Sequence, residues 1–126
     1  LLIGDAAMAF RSNGPVFVLD LGEEWKKLTG LPFVYAIWAV RTGLEAAGLT
    51  VKLRNARDAG MARLDEIAVR AGADTGLDPK TCLNYLRYVM MYELGEREIE
   101  ALRLFQRFAV EDGLCPKEVE IAFESQ

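Results

Sequence analysis

DLGEEWKKLTGLPFVYAIWAVR, residues 20–41, decides the fold reading of this chain. Its first part is a short helix by its charges. Glu23 and Glu24 suit the positive amino end of a helix dipole, and Lys26 and Lys27 suit the negative carboxyl end. Asp20 is expected to fix the turn before that helix, and Gly22 to supply unusual backbone angles. Trp25 is read as packing between helix and sheet. A tight turn, Thr29-Gly30-Leu31-Pro32, then feeds FVYAIWAVR. The run from Phe33 to Val40 is apolar throughout, which predicts a strand covered on both faces, as in α/β proteins.

Upstream, residues 1–32 read as alternating short strands and helices. Leu1-Leu2-Ile3 is an apolar strand ending in Gly4-Asp5, and VFVLDL, residues 16–21, is a second strand behind the turn Ser12-Asn13-Gly14-Pro15. Beyond Arg41 the pattern becomes helical. Leu53, Ala56, Gly60, Leu64, Ile67 and Ala71 recur at steps of three and four, with Thr50 as an N-cap and Gly72 as a stop. Asp78-Pro79 signals a clear helix start, with Leu83, Leu86, Val89 and Met90 facing inward. Residues 96–110 form the last long helix, with Ile99, Leu102, Phe105 and Ala109 on one face and Gly113 as its stop. VEIAF, residues 119–123, alternates like a short strand.

Composition removes whole classes of function. Fifteen basic and nineteen acidic residues leave a net charge of −4. The basic residues are interspersed with acidic ones, so no stripe suits a phosphate backbone and no nucleic-acid partner is expected. The longest apolar run is far too short to span a bilayer. The chain has no His, which excludes Ser-His and Cys-His nucleophile pairs and HExxH zinc sites from this segment. Its two cysteines offer no structural zinc set and read as reduced thiols of a cytoplasmic protein. At 126 residues and 52% hydrophobic content a real core is within reach. Yet the sequence opens inside an apolar strand with no initiating Met, and a terminal strand needs neighbours. The expectation is a piece whose partner segment lies upstream.

Three motifs in combination, IGD-A, DLGEEW and TGLPFV-A-WAVR, resemble the later half of the two-lobed enzymes of the futalosine route to menaquinone. Within that family the likeness is to the chorismate dehydratase branch. YLRYVMMYELGEREIEALRLF (85–105) and GLCPKEVEIAF (113–123) resemble the family's carboxyl-terminal run. The resemblance implies an α/β fold of the type II periplasmic-binding kind, of which this chain is the later half. Residues 1–32 would finish the second lobe and form a turn at the interlobe cleft. Residues 33–126 would be the crossing strand and a helical return to the first lobe. It further implies a cofactor-free lyase that dehydrates chorismate, held in a cleft with the missing amino-terminal half. Three alternatives stay open: the sister enzyme that cleaves cyclic dehypoxanthine futalosine, a solute-binding protein for a small carboxylate, and a helical interaction domain with no small ligand. The sister enzyme carries a His-bearing turn where this chain has Gly4-Asp5, which counts against it.

The candidate site follows. Gly4 lets the backbone approach a ligand closely. Asp5, just past the strand, faces the cleft as a proton-transfer group or an orienter of water; its simpler role is to cap the helix AAMAFR. The amides of Ala6 and Ala7 at that helix start suit a substrate carboxylate. Phe33 opens the crossing strand with an apolar face suited to a planar cyclohexadiene. Glu23 and Glu24 are adjacent on a helix and point apart, so they share no acid/base task. Tyr35 and Trp38 fall on alternating sides, at least one of them core. Tyr85, Tyr88 and Tyr92 read as packing, and Arg63, Arg70 and Arg87 as a solvated helix surface.

Overall fold

A computed structural model describes residues 1–10, 13–41 and 47–122. It contains α1 (Asp5–Ala9), α2 (Leu21–Thr29), α3 (Ala47–Met61), α4 (Leu64–Thr75), α5 (Pro79–Asn84), a π-helical turn (Tyr85–Val89) and α6 (Glu96–Glu111). No strand forms among the described residues, which make a mostly helical chain with extended connections where the α/β reading expected strands. The three predicted strands at residues 1–3, 16–21 and 33–40 run outside helices, apart from Leu21, which opens α2. Apolar content and β-branching favour extended backbone, but a strand exists only by pairing. Apart from the half-buried Phe33 and Val34, these segments stay solvated, with Val18 79% and Trp38 83% exposed. The described part of the predicted terminal strand, residues 119–122, likewise has no ladder. Ser12 of the predicted turn and Phe123 of that strand lie outside the described residues.

The chain divides into two compact units, Leu1–Phe17 with Thr50–Tyr92, and Val18–Leu49 with Glu93–Gln126. The stretch on both sides of Pro32 therefore belongs to one unit. In the first unit the predicted long helix is two helices. Thr50 lies inside α3 rather than capping it, and the chain turns at Ala62 and Arg63, where Arg63 N–H donates to the Gly60 carbonyl at 3.0 Å. The buried positions of α4 are Leu64, Ala68 and Gly72, one step from the predicted Ile67 and Ala71. Gly72 is no stop: α4 continues to Thr75, and Gly76 at φ 74° closes it. Gly72 instead permits close packing, since a Cβ there would fall 2.9 Å from both Leu77 O and Pro79 Cγ.

Asp78 begins α5 as its sequence signals. Its carboxylate accepts from Lys80 N–H at 3.3 Å, with Pro79 at the first helical position. Cys82 is buried and Leu83 half-buried beneath it, whereas Val89, expected inside, is exposed. The π turn then widens the spiral, with Met90 N–H donating to the Tyr85 carbonyl at 3.0 Å and the Tyr92 hydroxyl to the Leu86 carbonyl at 3.1 Å. Arg87 ties this turn to α4 through Asp65 at 2.9 Å.

The second unit joins α2 to α6. Asp20 caps α2 by accepting from Gly22 and Glu23 N–H at 2.8 and 3.0 Å, and Gly30 ends it at φ 73°. Arg97, near the start of α6, donates to the Gly30 carbonyl at 2.6 Å, placing a cation at the negative end of α2. Leu31, Ala101 and Ala109 form the buried centre. Gly113 at φ 72° closes α6, and Gln106 donates to the Val119 carbonyl at 2.8 Å, holding the tail.

Candidate active site

Gly4, Asp5, Ala6 and Ala7 form one turn in the first unit. Gly4 sits at φ 63°, ψ −142°, a conformation that side-chain-bearing residues avoid. It serves as the N-cap of α1, so Asp5 is the first helical residue, and no side chain caps this helix. The capping bond expected of Asp5 is therefore not made, and its exposed carboxylate sits in the first turn of the helix without accepting from a backbone amide there. The amides are unequal. Ala7 N–H already donates to the Gly4 carbonyl at 2.9 Å, and Met8 N–H to the same oxygen at 3.2 Å. The first helical bond thus begins at Ala7, and Ala6 N–H precedes it.

Phe33 lies in the second unit, half-buried within an aromatic group. Its ring meets Trp25 at 5.7 Å, Phe105 at 5.6 Å and Tyr35 at 4.8 Å, all edge to face. Trp25 also meets Phe105 and Phe108, and its Nε1 donates to the Pro32 carbonyl at 3.1 Å, so Trp25 packs as read, but against α6 and the Pro32 turn rather than a sheet. The cavity among Trp25, Phe33, Val34, Ala101, Leu102 and Phe105 is about 10 Å³, room for one water at most. It is packing, not a substrate chamber.

Electrostatic features are sparse. Glu24 pairs with Lys27 at 2.6 Å, and that hydrogen bond and charge hold the Lys27 ammonium above its usual range. Arg63 pairs with Glu66 at 2.6 Å and Arg70 with Asp74 at 3.8 Å beside an open groove lined by Ala59, Gly60 and Ile67. The three arginines behave as the solvated surface expected, each matched by an acid. Tyr88 is exposed rather than packed. Among the described residues no group of three or more His, Cys, Asp or Glu is placed to hold a metal, and no helix is long and apolar enough to cross a membrane.

Sequence reasoning missed the pair Gly22 and Tyr35. Gly22 adopts no positive φ, which corrects its expected role; a Cβ there would instead collide with the Tyr35 hydroxyl. The available signal was a glycine at a helical position without a backbone reason, but its partner is set by the intervening turn.

Comparison with known proteins adds a family. Residues 1–111 match the protein family described as menaquinone biosynthesis. A chorismate dehydratase of Thermus thermophilus is 37% identical over 93 residues, 73% of this chain and 34% of that protein. The chain thus spans about a third of the length of that curated relative. No solved structure matches it.

Proposed function

The chain belongs to the menaquinone biosynthesis family, and on that premise we propose that the full-length protein dehydrates chorismate to 3-[(1-carboxyvinyl)oxy]benzoate. The observation that carries this reading is the 37% identity to a chorismate dehydratase across 73% of the chain. The reaction is a cofactor-free lyase step in the cytoplasm. It removes the ring proton beside the enolpyruvyl ether and expels the neighbouring hydroxyl as water. Aromatisation supplies the driving force, so the protein's task is orientation and electrostatic support.

Each residue then has a part. Gly4 brings backbone close to the ligand, and Ala6 N–H donates to a substrate carboxylate. Ala7 shapes that turn through its bond to Gly4. Asp5, released from capping, exchanges the proton directly or through a water. Phe33 offers its face to the ring. The upstream remainder of a two-lobed protein supplies the other polar contacts, and the exposed segments at 1–3, 16–19 and 35–40 pair with its strands.

Incubating the full-length protein with chorismate tests this. The expected outcome is loss of the diene's ultraviolet absorbance and a product lighter by one water on mass analysis. A well-folded protein that leaves chorismate intact rejects it.

A further inference from the structure

The head of α2 holds a contact that neither the family nor the proposed chemistry assigns. Gly22 is a helical residue without a positive φ, so its backbone would accept alanine, which helices favour over glycine. The space beside it would not. A Cβ on Gly22 would run into the Tyr35 hydroxyl, and would lie 3.1 Å from Tyr35 Cζ and 3.3 Å from Asp20 Oδ1. The floor of this notch is fixed, because the Asp20 carboxylate accepts from Gly22 and Glu23 N–H at 2.8 and 3.0 Å.

Tyr35 is 70% exposed, so general burial does not hold it there. Its hydroxyl end reaches the glycine notch, and its ring meets Phe33 at 4.8 Å, closer than any of the four other ring pairs in the cluster, which span 5.6 to 5.9 Å. Phe33 meets two further rings, Trp25 and Phe105, both carried on helices. Of these three partners Tyr35 alone comes from the extended segment, and its hydroxyl end occupies the space that a side chain at position 22 would take. The backbone just before Phe33 is held as well, by the Trp25 Nε1 bond to Pro32.

We infer that Tyr35 is a positioning residue: seated by its hydroxyl over Gly22, it holds its ring against Phe33 and sets the face that Phe33 presents to a planar substrate ring. This rests on the reading of Phe33 as a wall of the chorismate site. A phenyl ring confined by three edge contacts has one orientation, whereas loss of the Tyr35 contact lets it turn. The consequence falls on ring binding more than on the chemical step.

The test uses the full-length protein, with steady-state kinetics on chorismate and far-UV circular dichroism to check folding. Gly22→Ala is expected to raise KM about tenfold while kcat changes by less than about threefold. Gly22→Ala with Tyr35→Phe removes the atom that the new Cβ strikes, and is expected to return KM to within about threefold of the parent. A double variant as impaired as Gly22→Ala overturns the inference, as does an unchanged KM in Gly22→Ala. If Gly22→Ala does not fold, Tyr35→Ala against Tyr35→Phe decides: a rise confined to Tyr35→Ala supports the inference and no rise in either overturns it. If the parent leaves chorismate intact, the dehydratase reading has failed on its own. The ring contact is then read from near-UV circular dichroism. A signal altered in Gly22→Ala and restored in the double variant keeps it; an unrestored signal overturns it.

Discussion

At the head of α1 the backbone itself requires glycine, because Gly4 sits at φ 63°, ψ −142°; at the head of α2 the backbone is ordinary, and the Tyr35 hydroxyl requires glycine at position 22. The first turn is written locally. Two backbone bonds to the Gly4 carbonyl hold it, no side chain caps it, and none of its helix is buried. The second is written through space, by an Asp20 cap, a tryptophan bond to Pro32 and a cluster of rings. Under the proposed function the first supplies polar groups to the chemistry, and the second supplies a preorganised apolar wall. Changes in the second region should therefore cost stability, and changes in the first should cost activity alone.

Trp25→Ala is the strongest way to break that contrast. The indole meets three phenyl rings and holds Pro32, and its truncation is expected to cost about 3 kcal/mol. Denaturant unfolding of the full-length protein measures it. A loss under about 1 kcal/mol would mean that the cluster is not the wall described, since surface substitutions cost that little.

Asp5→Asn probes the other side. Stability should stay within about 0.5 kcal/mol, because the carboxylate caps nothing. Turnover of chorismate should fall about 10²-fold in kcat, the usual weight of a positioned acid–base group. An unchanged kcat would take Asp5 out of the chemistry. A smaller effect is expected at the head of α2, where Asp20→Ala removes both accepted amide bonds and should cost about 1 kcal/mol. Measured beside Asp5→Asn, it separates a capping aspartate from a functional one at two otherwise similar helix starts.

Local signals in the sequence were legible where the physics is local. Asp78-Pro79 opens α5, the charges of Glu23, Glu24, Lys26 and Lys27 bracket α2, and Gly113 closes α6, all as their chemistry demands. The break at Ala62 and Arg63 was not legible, because the apolar spacing passes through it with no Pro and with Gly60 still helical. The apolar runs at 16–19 and 33–40 announced extended backbone, and no ladder forms on them among the described residues, since pairing depends on a partner that composition does not encode. The capping side of the two roles read for Asp5 assumed that the helix begins at Ala6, whereas Gly4 at φ 63° starts it one residue earlier. The Gly22–Tyr35 contact depends on the register after the Pro32 turn, which no spacing rule gives.

The smallest effect expected lies at the π turn, and it asks of a third irregular backbone whether its own residues or a side chain from beyond secure it. Tyr92 donates to the Leu86 carbonyl at 3.1 Å, and burial, then the neighbouring Tyr85, raises its phenol above the ordinary 10.0. A folded pKa above the unfolded one means that folding favours the protonated phenol. Its contribution is complete below the unfolded value of 10.0 and is lost as pH rises through the folded value. Unfolding midpoints taken across that alkaline range should therefore fall more steeply for the parent than for Tyr92→Phe, which has no proton to lose. The comparison is of slopes, because the phenylalanine variant also gives up a hydrogen bond at every pH, about 1 kcal/mol. Parallel slopes would assign the π turn to its backbone and to the Arg87–Asp65 pair, leaving Tyr92 no share in securing it.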